Sequence, residues 1–192
     1  MVTEQDNRII IKPHKLGWRE RSFFLISGII VSIPVTLFLG ALGQSFYSYL
    51  PVFYTQLISI VILAPFIEEF SKAYPLFYRY SLSERSLFIL GLLVGLGFGI
   101  TEFIIYVFAY GVPFYVRLPG LFFHAASTSL VAYGIAKNKA ILFYLLAVFL
   151  HFSANLFAVI DQVIPLMVIT LFAYFLSWTA YQRTTERYLE PE

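Results

Sequence analysis

Six runs of about 20 mostly apolar residues, each long enough to cross a hydrocarbon layer roughly 30 Å thick, set the terms for this chain. They fall at roughly 23–43, 53–78, 86–110, 118–136, 140–160 and 162–181. In lipid every backbone N–H and C=O must find its partner inside the protein, so runs of this length read as α-helices. The breaks between them carry turn residues or charge: Gln44 to Pro51, Arg79 to Arg85, Gly111-Val112-Pro113, Lys137-Asn138-Lys139 and Asp161-Gln162. The last break is short and predicts a hairpin between the final two helices. The expected fold is an all-α, polytopic membrane helix bundle of about six transmembrane helices over residues 23–181, with tails at 1–22 and 182–192.

Charge supports this reading. Asp, Glu, Lys and Arg make up 12% of the residues, where a soluble domain carries about 25%. The net charge of +2 gives no sign of a nucleic-acid partner. A basic leader followed by an apolar run also describes a signal peptide, but 23–43 exceeds the usual core of about 7–15 residues. It is read as a first membrane helix. Of the 13 Lys and Arg, five lie in the N-terminal tail, two each in the 79–85 loop, the 137–139 loop and the C-terminal tail, and one, Arg117, on the opposite side. Lys72 lies within a helix. That bias places both termini in the cytoplasm of a multi-pass protein of the cell membrane. There is no cysteine, which excludes Cys nucleophiles and thiolate metal sites.

Few ionisable residues fall inside the spans: Glu68, Glu69 and Lys72 in the second, Glu102 in the third, His124 in the fourth and His151 in the fifth. A charge at mid-bilayer costs at least about 2.5–3.5 kcal/mol, so these side chains are expected to face inward, pair, bind a metal or stay protonated. Helical spacing groups Glu68 with Lys72, Glu102 with Phe98 and Tyr106, His124 with Thr128, and His151 with Asn155. Glu68 and Glu69 lie about 100° apart around their helix, so one can point at a site while the other braces a neighbour or Lys72. Gly91, Gly95 and Gly99 recur every fourth residue, with Gly97 beside them, and form a ridge that presses the third helix into the bundle just before Glu102. Asp161, Glu84, Glu186 and Glu190 are expected to be turn, loop or tail charges. Each buried Glu or His alone is more often a hydrogen-bonded core residue than a catalyst. Their coincidence on four spans points to one site.

Such an inventory permits hydrolysis. A buried glutamate is a suitable general base, and a histidine or the Asn155 amide can donate to an oxyanion. Alternatively, His124, His151 and one or two glutamates, Glu102 among them, hold Zn²⁺, which activates the water itself. Neither H-E-x-x-H nor G-x-S-x-G occurs, which argues against zincin and hydrolase-elbow arrangements.

At these positions the sequence resembles a known family. Glu68-Glu69-Phe70-Ser71-Lys72 reads as EExxK and Phe98 to Glu102 as FxxxE. His124 heads the segment His124-Ala125-Ala126-Ser127-Thr128 shortly after Arg117, and His151 to Asn155 reads as HxxxN. In this order, over roughly residues 60–160, the set is similar to the PrsW family of intramembrane proteases, which belongs to a superfamily with type II CAAX prenyl endopeptidases and Abi proteins. Those relatives usually carry EExxxR and FxxxH; Lys72 at the shorter spacing and Glu102 favour the PrsW branch. The resemblance implies an endopeptidase acting on membrane-associated proteins, for example in the first cleavage of an anti-sigma factor. By analogy Glu68 or Glu69 activates water, Glu102 and His124 assist or bind metal, and His151 with Asn155 stabilises the oxyanion. Relatives described as metal-free leave zinc open. Two other classes fit buried Glu and His: a proton-coupled transporter, although no internal repeat is present, and a non-catalytic membrane scaffold.

Overall fold

The computed structural model describes residues 15–47, 49–78 and 83–186, and among these the chain is helical with no strand. Six of its helical stretches are long and apolar enough to cross a membrane. Helix α1 (Trp18–Tyr47) is followed by a composite second span of α2 (Val52–Gln56), a π-helical segment (Leu57–Leu63), α3 (Ala64–Ala73) and a 3₁₀ turn (Tyr74–Phe77). Helix α4 (Glu84–Ile104) runs into a second π segment (Ile105–Ala109). Helices α5 (Phe114–Ala136), α6 (Ala140–Val159) and α7 (Val163–Gln182) complete the bundle.

The helix ends follow local chemistry. Helix α1 begins at Trp18 rather than Phe23, because the Glu20 carboxylate accepts from the Gly17 N–H at 2.8 Å and carries the helix through Arg19 and Arg21. Pro51 and Pro113 sit at the starts of α2 and α5, where a missing N–H leaves no bond unmade. Asn138 (φ 55°), Asp161 (φ 53°) and Gly111 (φ 67°) take the left-handed conformation in the sharp breaks, which short polar side chains and glycine tolerate. Asp161 is an exposed turn residue, as its position in the sequence indicates.

Helices α4 and α5 form the centre, and α1, the second span, α6 and α7 surround them. Between helices in lipid no hydrophobic driving force operates, so close packing of small residues does that work. Gly91, Gly95 and Gly99 face α5, where an added Cβ would run into Ala132, the His124 backbone and the Leu121 backbone respectively. Gly97 faces the other way, against Leu25 of α1, and Gly28 of α1 meets the Val94 carbonyl of α4. The ridge thus presses α4 directly onto the helix that carries His124. Apolar clusters fill the remaining space, one around Leu87, Leu90, Val94, Val131 and Ile135, another around Phe88, Phe123, Leu130 and Leu150.

One expectation changes here. Glu84 is not a loop charge but a buried residue at the start of α4, where it receives Lys137 Nζ at 2.7 Å on both oxygens and the Thr185 N–H and hydroxyl at 3.0 Å. Negative charge is favoured at a helix N-terminus, and the pairing ties three chain segments together. Glu190 lies outside the described residues, as do Arg8 and Lys12 of the N-terminal tail.

Candidate functional site

The second span, α4, α5 and α6 each send ionisable side chains to one buried place. Glu68, Glu69, Lys72, Glu102, His124 and His151 are all buried, with Glu69 and Lys72 fully so. The rings of His124 and His151 meet edge to face at 5.3 Å between centroids. Phe98 packs against His124 on one side and lies under the Lys72 ammonium at 5.1 Å, while Phe123 packs against His151. Aromatic rings thus hold both imidazoles in place and keep the surroundings dry.

Two adjacent glutamates divide into two roles. Lys72 pairs with Glu69, three residues back, at 2.6 Å rather than with Glu68, four residues back. Glu69 Oε1 also accepts from Ser127 Oγ at 3.2 Å and from His151 Nδ1 at 2.9 Å. Since a carboxylate only accepts, His151 donates from Nδ1. Its Nε2 lies 3.7 Å from Glu68 Oε2, a buried oxygen with no hydrogen-bond partner among the described residues. Glu69 therefore orients its neighbours through Oε1, whereas Glu68 takes no part in that network; each keeps a buried Oε2 without a hydrogen-bond partner among the described residues.

His124 sits between opposite partners. Lys72 Nζ donates to its Nδ1 at 3.0 Å, so the ring proton is on Nε2, which donates to Glu102 Oε2 at 2.6 Å. Arg117 donates to the same oxygen at 3.3 Å and lies 3.7 Å above the Tyr106 ring. An unbroken line of charged and hydrogen-bonded groups thus runs Arg117–Glu102–His124–Lys72–Glu69–His151.

Glu68, His124 and His151 each offer a ligand atom, and these atoms lie within 4.8 Å of one another. A tetrahedral zinc with bonds of about 2.0–2.2 Å needs its ligands roughly 3.3–3.5 Å apart, a modest contraction. Glu68 Oε2, which has no hydrogen-bond partner among the described residues, and His151 Nε2, whose ring already uses Nδ1 as donor, suit a divalent cation, and the Glu69–His151 bond is the carboxylate–imidazole support that metal-bound histidines commonly have. His124 joins them by giving up one of its two present partners. The residues fit a metal. Glu102 stands outside this group of three, because His124 and Arg117 occupy its Oε2.

Three further placements differ from the spacing argument or go beyond it. Ser127, one turn from His124, reaches Glu69, whereas the Thr128 hydroxyl is buried without a partner. Its i+3 position from His124 was the available signal. Arg117, whose side chain is 28% exposed, closes the outer end of the Glu102 carboxylate. The Asn155 amide, instead of aiming at the histidines, donates to the Ile60 carbonyl at 2.8 Å.

Comparison with known proteins agrees with this geometry. Neither the curated proteins nor the solved structures contain a significant match. The family profile described as PrsW family intramembrane metalloprotease matches residues 17–180, which takes in the first five spans, the sixth to within two residues of its end, and every residue of the site. The buried carboxylate–imidazole cluster and this match lead to one conclusion: the chain belongs to the PrsW family of intramembrane metalloproteases.

Proposed function

We propose that the chain cuts peptide bonds of membrane-associated proteins within the bilayer, with Glu68 as the residue that activates the attacking water. One observation carries the reading: a buried Glu68 oxygen with no hydrogen-bond partner among the described residues lies 3.7 Å from His151 Nε2, on a ring that Glu69 orients through Nδ1. Glu68 takes a proton from water as the hydroxyl adds to the scissile carbonyl. The same proton then passes to the departing amide nitrogen as the C–N bond breaks. His124, whose Nε2–H is held by Glu102 in the resting site, becomes the donor for the developing oxyanion when that N–H turns from the carboxylate to the substrate oxygen. Lys72 contributes positive charge from behind. On the alternative, metal route Glu68, His124 and His151 would instead hold a divalent metal, zinc by the chemistry of the donors, which would supply the Lewis acidity that activates the water.

The Lys and Arg bias supports cytoplasmic termini and a cell-membrane location. A substrate fitting a site at this depth is a transmembrane or membrane-inserted segment, such as an anti-sigma factor at its first cut. The test is metal analysis of detergent-purified protein, wild type beside the His124→Ala/His151→Ala variant, with peptide cleavage measured on the same samples. Near-stoichiometric zinc that is lost together with cleavage establishes the metal route. Cleavage by metal-free wild type establishes glutamate-activated water. Full cleavage by a Glu68→Gln variant refutes the assignment of Glu68.

A further inference from the structure

Asn155 lies one turn beyond His151 on α6, yet its amide is used at a fault in the neighbouring span. In the π segment each carbonyl accepts from the N–H five residues on, and this ladder runs to its end, where the Ala64 N–H donates to the Ser59 carbonyl. The next bond in that register would join Ile60 to residue 65. Residue 65 is Pro65, which has no N–H. The Ile60 carbonyl is therefore orphaned by sequence, and Asn155 Nδ2 donates to it at 2.8 Å. In a lipid environment an unmet carbonyl is costly, so the bond holds α6 and the second span in fixed register.

The consequence reaches the site. Glu68 lies one turn after Pro65, and His151 one turn before Asn155, so the Ile60–Asn155 bond closes a short loop through Pro65, Glu68, His151 and Asn155. We propose that Asn155 is a positioning residue: by satisfying the carbonyl that Pro65 leaves open, it sets the approach of Glu68 to His151. On this account its role is to hold the two helices together, and the amide does not touch the substrate. Tyr144, whose hydroxyl donates to the Phe66 carbonyl at 3.0 Å, fastens the same two elements further along. The proposal rests on the protease reading only for its effect on turnover.

The test is a double-mutant cycle between Asn155→Ala and Pro65→Ala in the full-length, detergent-purified protein, with thermal stability and peptide cleavage both measured. In the native background Asn155→Ala is expected to lower Tm by roughly 2–6 °C, for one carbonyl left unmet in an apolar environment. It is also expected to lower kcat by about 10- to 100-fold with KM little changed, as misplaced catalytic groups do. In the Pro65→Ala background a backbone N–H becomes available to Ile60, and both effects of Asn155→Ala should shrink several-fold. Equal Tm losses in the two backgrounds would overturn the clamp. A kcat loss that persists undiminished beside a coupled Tm would also overturn the proposal, because the amide would then be acting on substrate. If wild type cleaves no peptide the protease reading falls, and the Tm cycle still decides whether the clamp exists.

Discussion

Replacing Lys72 with methionine tests how the site survives in lipid. The side chain is fully buried and makes two hydrogen bonds, to Glu69 Oε1 at 2.6 Å and to His124 Nδ1 at 3.0 Å. Both bonds come from an ammonium, so each contributes about 1.5–3 kcal/mol, and together about 3–6 kcal/mol is at stake. A second route gives a similar figure, since deleting one partner of a buried ion pair costs about 3–5 kcal/mol by stranding the other charge. Lys72→Met should therefore destabilise by about 3–4 kcal/mol on these scales, read from reversible unfolding by SDS in mixed micelles. Methionine keeps much of the volume, so a cavity adds little. Changing both partners, Lys72→Met with Glu69→Gln, should recover at least half of the loss, because no charge is then stranded. Ser127 and His151 can still bond the amide that replaces the Glu69 carboxylate. The reasoning fails if Lys72→Met costs less than about 1 kcal/mol, or if the double variant costs the sum of the two single ones.

Three more predictions follow from the same geometry. Glu68→Gln should reduce cleavage by about 10²–10⁴-fold, the usual worth of a general base, while the unfolding midpoint moves little because Oε2 makes no hydrogen bond among the described residues. Gly95→Ala should cost about 1–3 kcal/mol and depress cleavage, since its Cβ collides with the backbone of His124, whereas Gly40→Ala, with open space around it, should stay within about 0.5 kcal/mol; equal effects would refute the packing argument. Glu84→Ala should lower stability by about 1–3 kcal/mol through loss of Lys137 and Thr185, yet leave kcat and KM unchanged, because it lies about 27 Å along α4 from Glu102 at 1.5 Å per residue.

Much of this arrangement could be read before any coordinates. Length and hydropathy give the six spans, because a bilayer imposes one helix length on every crossing. The glycine spacing of α4 marks that helix for close packing in the bundle centre, since in lipid small residues let backbones come into contact, while which helices it meets comes from the structure. What escapes the sequence is finer than a turn. The choice between Glu69 and Glu68 for Lys72 is a choice between i+3 and i+4, which helical spacing leaves even, and the structure takes the former. Glu84 looks like a loop charge because its partners, Lys137 and Thr185, lie far away in the chain. Asn155 belongs to a histidine motif, and nothing in that motif tells that a π segment stops at a proline on another helix. Partners across helices depend on which way each helix is turned, and one-dimensional periodicity leaves that open.

The glycine contacts of α4 also set where the molecule can yield. Backbone lies against backbone on both sides of α4, toward α1 through Gly97 and Gly28 and toward α5 through Gly91, Gly95 and Gly99. Such seams contain no rotamers to re-sort, so a shift of an ångström either collides or opens a void. The second span and α6, by contrast, are joined by the side-chain bonds of Asn155 and Tyr144. Glu102 and His124 are thus placed by backbone seams, and Glu68 and His151 by two side-chain clamps. The line between the two kinds of support runs through the middle of the site, so a substitution on either side of it moves one half of the site relative to the other.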